Sequence, residues 1–119
     1  MIDIKSKVVY ISGPISNSDW SETKGKFDEI HRKLNDLGAV KVYNPVYFDK
    51  PSPESSLDEI ERWTFYMRHS LKKLTECSTI VMMKGYHASK GARLEKYVAE
   101  NLGITVIHER YLNETKTDI

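Results

Sequence analysis

Two short stretches carry residue types that could do chemistry. Ser89-Lys90-Gly91-Ala92-Arg93-Leu94-Glu95 follows an apolar strand and opens a helix, and Tyr10-Ile11-Ser12-Gly13-Pro14-Ile15 ends a strand and opens a loop. In a parallel α/β sheet both stretches fall at the carboxyl ends of strands, where such folds bind ligands. One site would then combine a phenol, a hydroxyl, a small turn and a carboxylate. A carboxylate suits attack on an oxocarbenium-like carbon, because it stabilises positive charge and can form a covalent ester. A phenol can hold that carboxylate or a sugar ring oxygen. The first turn of a helix offers free N–H groups and a positive dipole end to a phosphate, and Ser89, Lys90 and Gly91 would sit there. Together these are the chemistry of a nucleotide pocket with Glu95 as candidate nucleophile. Each residue also has a plainer reading: Glu95 as a surface glutamate favoured by the helix dipole, Lys90 as a solvated lysine.

The elements that must position these groups follow from hydrophobic spacing. Lys7 to Ile11 is a β-branched and aromatic run stopped by Ser12-Gly13-Pro14, a first strand and its loop. From about Trp20, Phe27, Ile30, Leu34 and Leu37 recur at helical spacing, and Gly38 stands where the helix should end. Ala39 to Tyr43 is a second strand, stopped by Asn44-Pro45. Residues 46 to 56, counted with Pro45, hold three of the four prolines and form the longest irregular segment, a candidate lid or pocket wall. Leu57, Ile60, Thr64, Met67, Leu71 and Leu74 mark a second helix, with Ser56 as cap and Glu59 completing a capping box. Thr79 to Met83 is continuously apolar, as a central parallel strand covered on both faces should be. Lys84 to Ala88 is a loop. A third helix from Ser89 carries Leu94, Val98 and Leu102 and closes at Gly103, Ile104 to Ile107 is a fourth strand, and a polar tail follows. The order βαβαβαβ predicts a single α/β domain over 1–119, core about 7–108, with a parallel sheet, right-handed crossovers and helices on both faces.

Composition narrows the function classes. With 119 residues there is room for one domain, and a formal net charge of +1 gives no support to nucleic-acid or membrane binding. No apolar run resembles a signal peptide or reaches membrane-spanning length, so the expected setting is reducing and cytoplasmic. The lone Cys77 can make no internal disulfide and reads as a buried structural thiol. No G-x-G-x-x-G follows the first strand and no P-loop pattern occurs, which removes dinucleotide binding and ATP hydrolysis by those routes. His31, His69, His87 and His108 form no recognised ligand pair, and no metal or cofactor is expected. His87 alone stands out, in the loop before Ser89, where it could touch a ligand.

With these segments in place the chain resembles the nucleoside 2-deoxyribosyltransferase-like superfamily, in its small phage and bacterial branch of DUF4406 type. The resemblance rests on Val9 through Ile15, Tyr43-Asn44-Pro45, Trp63 through Leu74, and Gly85 through Glu95, with Ala99 and Leu102-Gly103 trailing. It implies a flavodoxin-like or Rossmann-like sheet with a pocket for a nucleoside or its 5′-monophosphate. It further implies that Glu95 attacks the anomeric carbon, the base departs, and water or a second base resolves the glycosyl-enzyme. In this comparison Tyr10 contacts the sugar or orients the nucleophile, and Ser12, Gly13, Pro14 and Ile15 form the loop that lets backbone approach the ligand. Ser89, six residues before Glu95, takes the place of a phosphate-binding serine, with Gly91 beside it. Asn44, Ser70 and His87 complete the expected binding set. Relatives are dimers or larger, so a homodimer or higher oligomer is expected, with Trp63, Tyr66 and Met67 as an aromatic and apolar face that could serve it.

The chain departs from the pattern at Ser70, which stands before Leu71 where active relatives carry an aspartate acid/base, and at Ser78 before the third strand. A serine hydroxyl cannot serve as a general acid near neutral pH. Three readings therefore stay open: an N-glycosidase or deoxyribosyltransferase using Glu95, a nucleotide-binding protein without turnover that uses the same pocket and tolerates Ser70 because it needs no acid, and a small interaction domain with no small-molecule site.

Overall fold

In strand β1 (Val8–Ser12), Val9 and Ile11 point to one side of the sheet and Tyr10 and Ser12 to the other, as the two-residue period of a strand requires. That alternation divides the molecule into two layers of different character. A computed structural model describes residues 3–15, 19–48 and 57–113. Around β1 it places helix α1 (Trp20–Asp36), strand β2 (Lys41–Tyr43), helix α2 (Glu59–Leu74), strand β3 (Thr79–Met82), helix α3 (Lys90–Asn101) and strand β4 (Thr105–His108). The four strands pair in parallel in the order β2-β1-β3-β4. The chain therefore reverses its direction of growth at β1, and the carboxyl ends of β1 and β3 flank the switch point.

On one face Val9, Ile11, Val81, Met83 and Ile107 pack against Phe27, Ile30 and Leu34 of α1. On the other, Tyr10, Ile80 and Met82 pack against Leu74 of α2 and Ala92 and Ala99 of α3. This placement of helices on both faces is the one that right-handed crossovers dictate for this strand order. The expected architecture holds, with the helix ends set by local chemistry. Asp19 caps α1 by accepting from Glu22 N, and Gly38, at φ +94°, turns the chain out of it in a conformation glycine tolerates.

Several expectations need correction in detail. β1 ends at Ser12 rather than Ile11, because Ser12 stays in register with Met82 and its carbonyl accepts from Met83 N. β2 begins at Lys41, β3 ends at Met82 and β4 runs one residue later than the apolar run suggested. The cap of α2 is Asp58, two residues beyond the expected Ser56: Asp58 accepts from Glu61 N at 2.8 Å while Glu61 reaches back to Asp58 N, a reciprocal box that fixes the first turn there. Ser56 and residues 49–55 of the proline-rich segment lie outside the described residues, whereas Pro45–Tyr47 form a 3-10 turn capped by Asn44. Ile60 lies 76% exposed rather than in the core, and Leu102 is also on the surface. Packing extends past the expected core limits on both sides, to the buried Ile4 and to Leu112, which a 3-10 turn over Glu109–Leu112 tucks against the α1 layer.

Candidate functional site

The phase of α3 decides which of its side chains face the sheet. Ser89 Oγ accepts from Ala92 N at 3.1 Å, and the Ser89 carbonyl accepts from Arg93 N, so the helix starts at Lys90. Ala92, Glu95 and Ala99 then form the buried stripe, at spacings of three and four, while Leu94 and Val98 flank it half-buried. Two small residues let α3 sit close to β1 and β3, and the glutamate between them is driven into the layer. Gly91 contributes on the neighbouring side, where a Cβ would come 3.1 Å from Met67 Sδ of α2.

Glu95 is 5% exposed. Both of its oxygens are held from β1: Tyr10 donates its phenolic hydrogen to Oε2, and Ser12 Oγ donates to Oε1 at 2.7 Å. The residues are two apart on one strand, so their side chains rise side by side from the same face. Burial pushes the Glu95 carboxyl from the usual 4.5 up to about 7, against the pull of the two hydroxyl donors, which favour the charged form. The Tyr10 phenol is raised well above 10, first by burial and then by the neighbouring carboxyl, so it stays a neutral donor. The arrangement is a desolvated carboxylate of near-neutral pKa, oriented by two hydroxyls at the carboxyl end of the central strand. Such a group can stabilise or attack an electron-deficient carbon.

Two further hydroxyls reach this cluster from α2. Ser70 is fully buried, and its Oγ adjoins the phenols of Tyr10 and Tyr66, tempering the rise in pKa of both. Yet among the described residues neither Ser70 Oγ nor the buried Tyr66 Oη makes a hydrogen bond of normal geometry. Tyr66 and Ser70 are one helical turn apart and so share a face. Burial and the Glu95 carboxyl raise the Tyr66 phenol.

The remaining expected site residues lie around this centre or away from it. Gly13 follows Ser12 and is buried against Met83, where a Cβ would approach to 2.7 Å, so close backbone contact between the ends of β1 and β3 requires glycine there. Ile15 packs into the α1 layer. Pro14 lines a cavity of about 590 Å³ with Thr23, Phe27, Ile30, Met83 and Lys84, on the α1 side and away from Glu95. Asn44 is buried on the α1 side as well: its Oδ1 accepts from Val46 N, and its Nδ2 donates to Asp28 Oδ1 at 3.2 Å beside His31 Nδ1. His87 is exposed and rests on the Tyr86 ring, with centroids 3.9 Å apart. Lys90 Nζ sits 4.1 Å over the Trp63 ring, which draws it toward α2. Cys77 is buried with its thiol pushed up to about 12, an inert environment. Among the described residues no three His, Cys, Asp or Glu side chains group as a metal site would need, and no helix is long and apolar enough to cross a membrane.

A family model described as Domain of unknown function (DUF4406) matches residues 7–108. The chain belongs to the DUF4406 family. No curated protein matches it in sequence. Among solved structures, this DUF4406 chain is similar to the 2-deoxyribosyltransferase of the psychrotolerant bacterium Bacillus psychrosaccharolyticus, at 22% identity and a TM-score of 0.65, over 85% of this chain and 70% of that one. The likeness establishes a deoxyribosyltransferase-like α/β fold.

In this DUF4406 chain the residue that sequence reasoning passed over is Tyr66. Its hydroxyl turns toward the Glu95 cluster, and Met67 lies buried against Gly91, so two of the three residues expected on an oligomer face look inward. The spacing of Tyr66 to Ser70 on one helix face was the available signal.

Proposed function

We propose that the protein cleaves the N-glycosidic bond of a nucleoside or nucleoside 5′-monophosphate, as an N-glycosidase or a deoxyribosyltransferase, with Glu95 as nucleophile. The observation that carries this reading is the buried Glu95 carboxyl held on both oxygens by Tyr10 and Ser12 at the switch point of the sheet. In the reaction a Glu95 oxygen bonds to the anomeric carbon while the carbon–nitrogen bond breaks. The bonding pair leaves with the base, which takes up a proton. Water or a second base then attacks the same carbon and frees the carboxylate. Tyr10 and Ser12 orient the carboxylate and hold its charge when it is released. Ser89, Gly91 and Gly13 are proposed to receive the phosphate and sugar, with Ser89 able to offer its hydroxyl hydrogen while its oxygen caps α3. A homodimer or larger assembly is proposed through the outer side of α2, where Ile60 and Phe65 are exposed beside the half-buried Trp63.

One observation favours a second reading, nucleotide binding without turnover. Ser70 stands beside Tyr10 and provides no acid of suitable pKa for the leaving base. Chromatographic detection of free base after long incubation with nucleosides and their monophosphates separates the two. Base release that vanishes in Glu95→Ala supports the glycosidase. Release that persists unchanged in that variant removes Glu95 as nucleophile, and no release together with ligand-raised melting temperature selects the binding reading.

A further inference from the structure

Buried hydroxyls in a folded protein are almost always hydrogen-bonded, because an unmade bond costs the full desolvation of the group. The Glu95 cluster breaks this rule twice. Ser70 Oγ and Tyr66 Oη are buried, adjacent and unpaired among the described residues. They continue a run of polar groups: Ser12 and Tyr10 on the Glu95 carboxyl, Ser70 beside Tyr10, Tyr66 beside Ser70. The unpaired members are therefore on the Tyr10 side of the carboxylate. Both belong to α2, one helical turn apart on the face that meets the Glu95 layer.

Resting on the N-glycosidase form of the proposed function, we propose that Ser70 and Tyr66 form a subsite for a 2′-hydroxyl, so that the protein selects ribosyl over 2′-deoxyribosyl ligands. Once a Glu95 oxygen faces the anomeric carbon, three ligand groups adjoin that carbon: the ring oxygen, the glycosidic nitrogen and carbon 2′. The ring oxygen can only accept, and the glycosidic nitrogen has neither a proton nor a free lone pair to offer. A hydroxyl on carbon 2′ both donates and accepts. Two neighbouring hydroxyls that each lack a partner match it: one gives a hydrogen to the ligand oxygen and the other receives the ligand hydrogen. A carboxylate at position 70 would only accept and would carry charge beside Glu95, whereas serine does both without charge. A 2′-deoxy ligand would leave both hydroxyls desolvated and unsatisfied, and sites built to bond a substrate hydroxyl reject the analogue without it strongly.

The test is isothermal calorimetry on the intact chain with the four common ribonucleosides and their 5′-monophosphates, each beside its 2′-deoxy counterpart. The expected result is that the best ribosyl ligand binds at least about tenfold tighter than its 2′-deoxy partner, the worth of one neutral hydrogen bond. Ser70→Ala and Tyr66→Phe should each erase that preference by weakening the ribosyl ligand alone. Neither should melt below the wild type without ligand, since each deletes an unsatisfied buried hydroxyl. Equal binding, or tighter binding of the 2′-deoxy series, overturns the proposal and leaves the glycosyl-transfer reading standing. A ribosyl preference that survives both substitutions overturns it too, because the selection then arises elsewhere. Binding of none of the compounds removes the nucleotide reading and the proposal together.

Discussion

The two faces of the central sheet are built from the same strands and serve opposite ends. Against α1, β1 presents Val9 and Ile11, β3 presents Val81 with Met83 just beyond its end, and the helix answers with Phe27, Ile30 and Leu34. Against α2 and α3, β1 presents Tyr10 and Ser12, and the helices answer with Ser70 and Glu95 as well as Leu74, Ala92 and Ala99. The first layer is close-packed apolar surface, which stabilises in proportion to the area removed from water. The second gives up part of that stabilisation to keep a carboxyl, three hydroxyl neighbours and a second phenol out of solvent. Stability and chemistry are thus separated by one residue along β1, and a shift of register by one would exchange them.

The sharpest way to break this comparison is Glu95→Gln, which keeps the shape and removes the proposed nucleophile. Base release should fall by on the order of a thousandfold or more, measured by chromatography. On the other face, Phe27→Ala should cost about 3–5 kcal/mol in chemical denaturation. The residual activity per folded molecule should keep the wild-type pH profile, since Phe27 touches no member of the Glu95 cluster.

The same Glu95→Gln variant also sharpens the contrast through stability. A carboxyl whose folded pKa lies near 7 against a usual 4.5 binds its proton more tightly when folded. The folded state is therefore favoured below about pH 4.5 and loses that advantage as pH rises to 7. Removing the ionisation should stabilise the protein at pH 8 by up to about 3 kcal/mol and flatten the dependence between those limits, as thermal melts across pH would show. A variant that loses function and gains stability is the mirror of Phe27→Ala. A smaller effect is expected from Tyr10→Phe: losing the donor moves the ionisation of Glu95, and with it the rising limb of the rate–pH profile, to higher pH. The smallest is Asp58→Ala, which should cost about 1 kcal/mol of stability by opening the α2 cap and leave the pH profile unmoved.

The layout of the fold was legible because its signals are local and redundant. Continuous apolar runs, helical spacing in α1 and glycine at the helix ends all agree with the parallel sheet that forms. The site was legible in part. Ser89 announces a helix start, and the apolar spacing that marks α3 in the sequence is that of Leu94, Val98 and Leu102. Close helix–sheet approach instead selects Ala92 and Ala99, and small residues give a weak hydrophobic signal. A glutamate at the right phase between two alanines was the visible clue. Asn44 shows what the sequence does not carry: its polar atoms cap a turn and bond Asp28, contacts that depend on where α1 packs. Tyr66 was hidden because aromatic residues on a helix usually denote packing, and only the tertiary arrangement reveals where its hydroxyl ends.

The two bonds that hold Glu95 join residues 83 and 85 positions apart along the chain. Strand β1 is synthesised before α3, and its hydroxyls meet their carboxylate only once α3 has docked. Closing so long a loop is slow and comes late relative to local helix formation. A nascent or partly folded chain thus has Tyr10 and Ser12 in place with nothing to orient. The carboxylate proposed as nucleophile gains both of its donors only once the layer around it has formed.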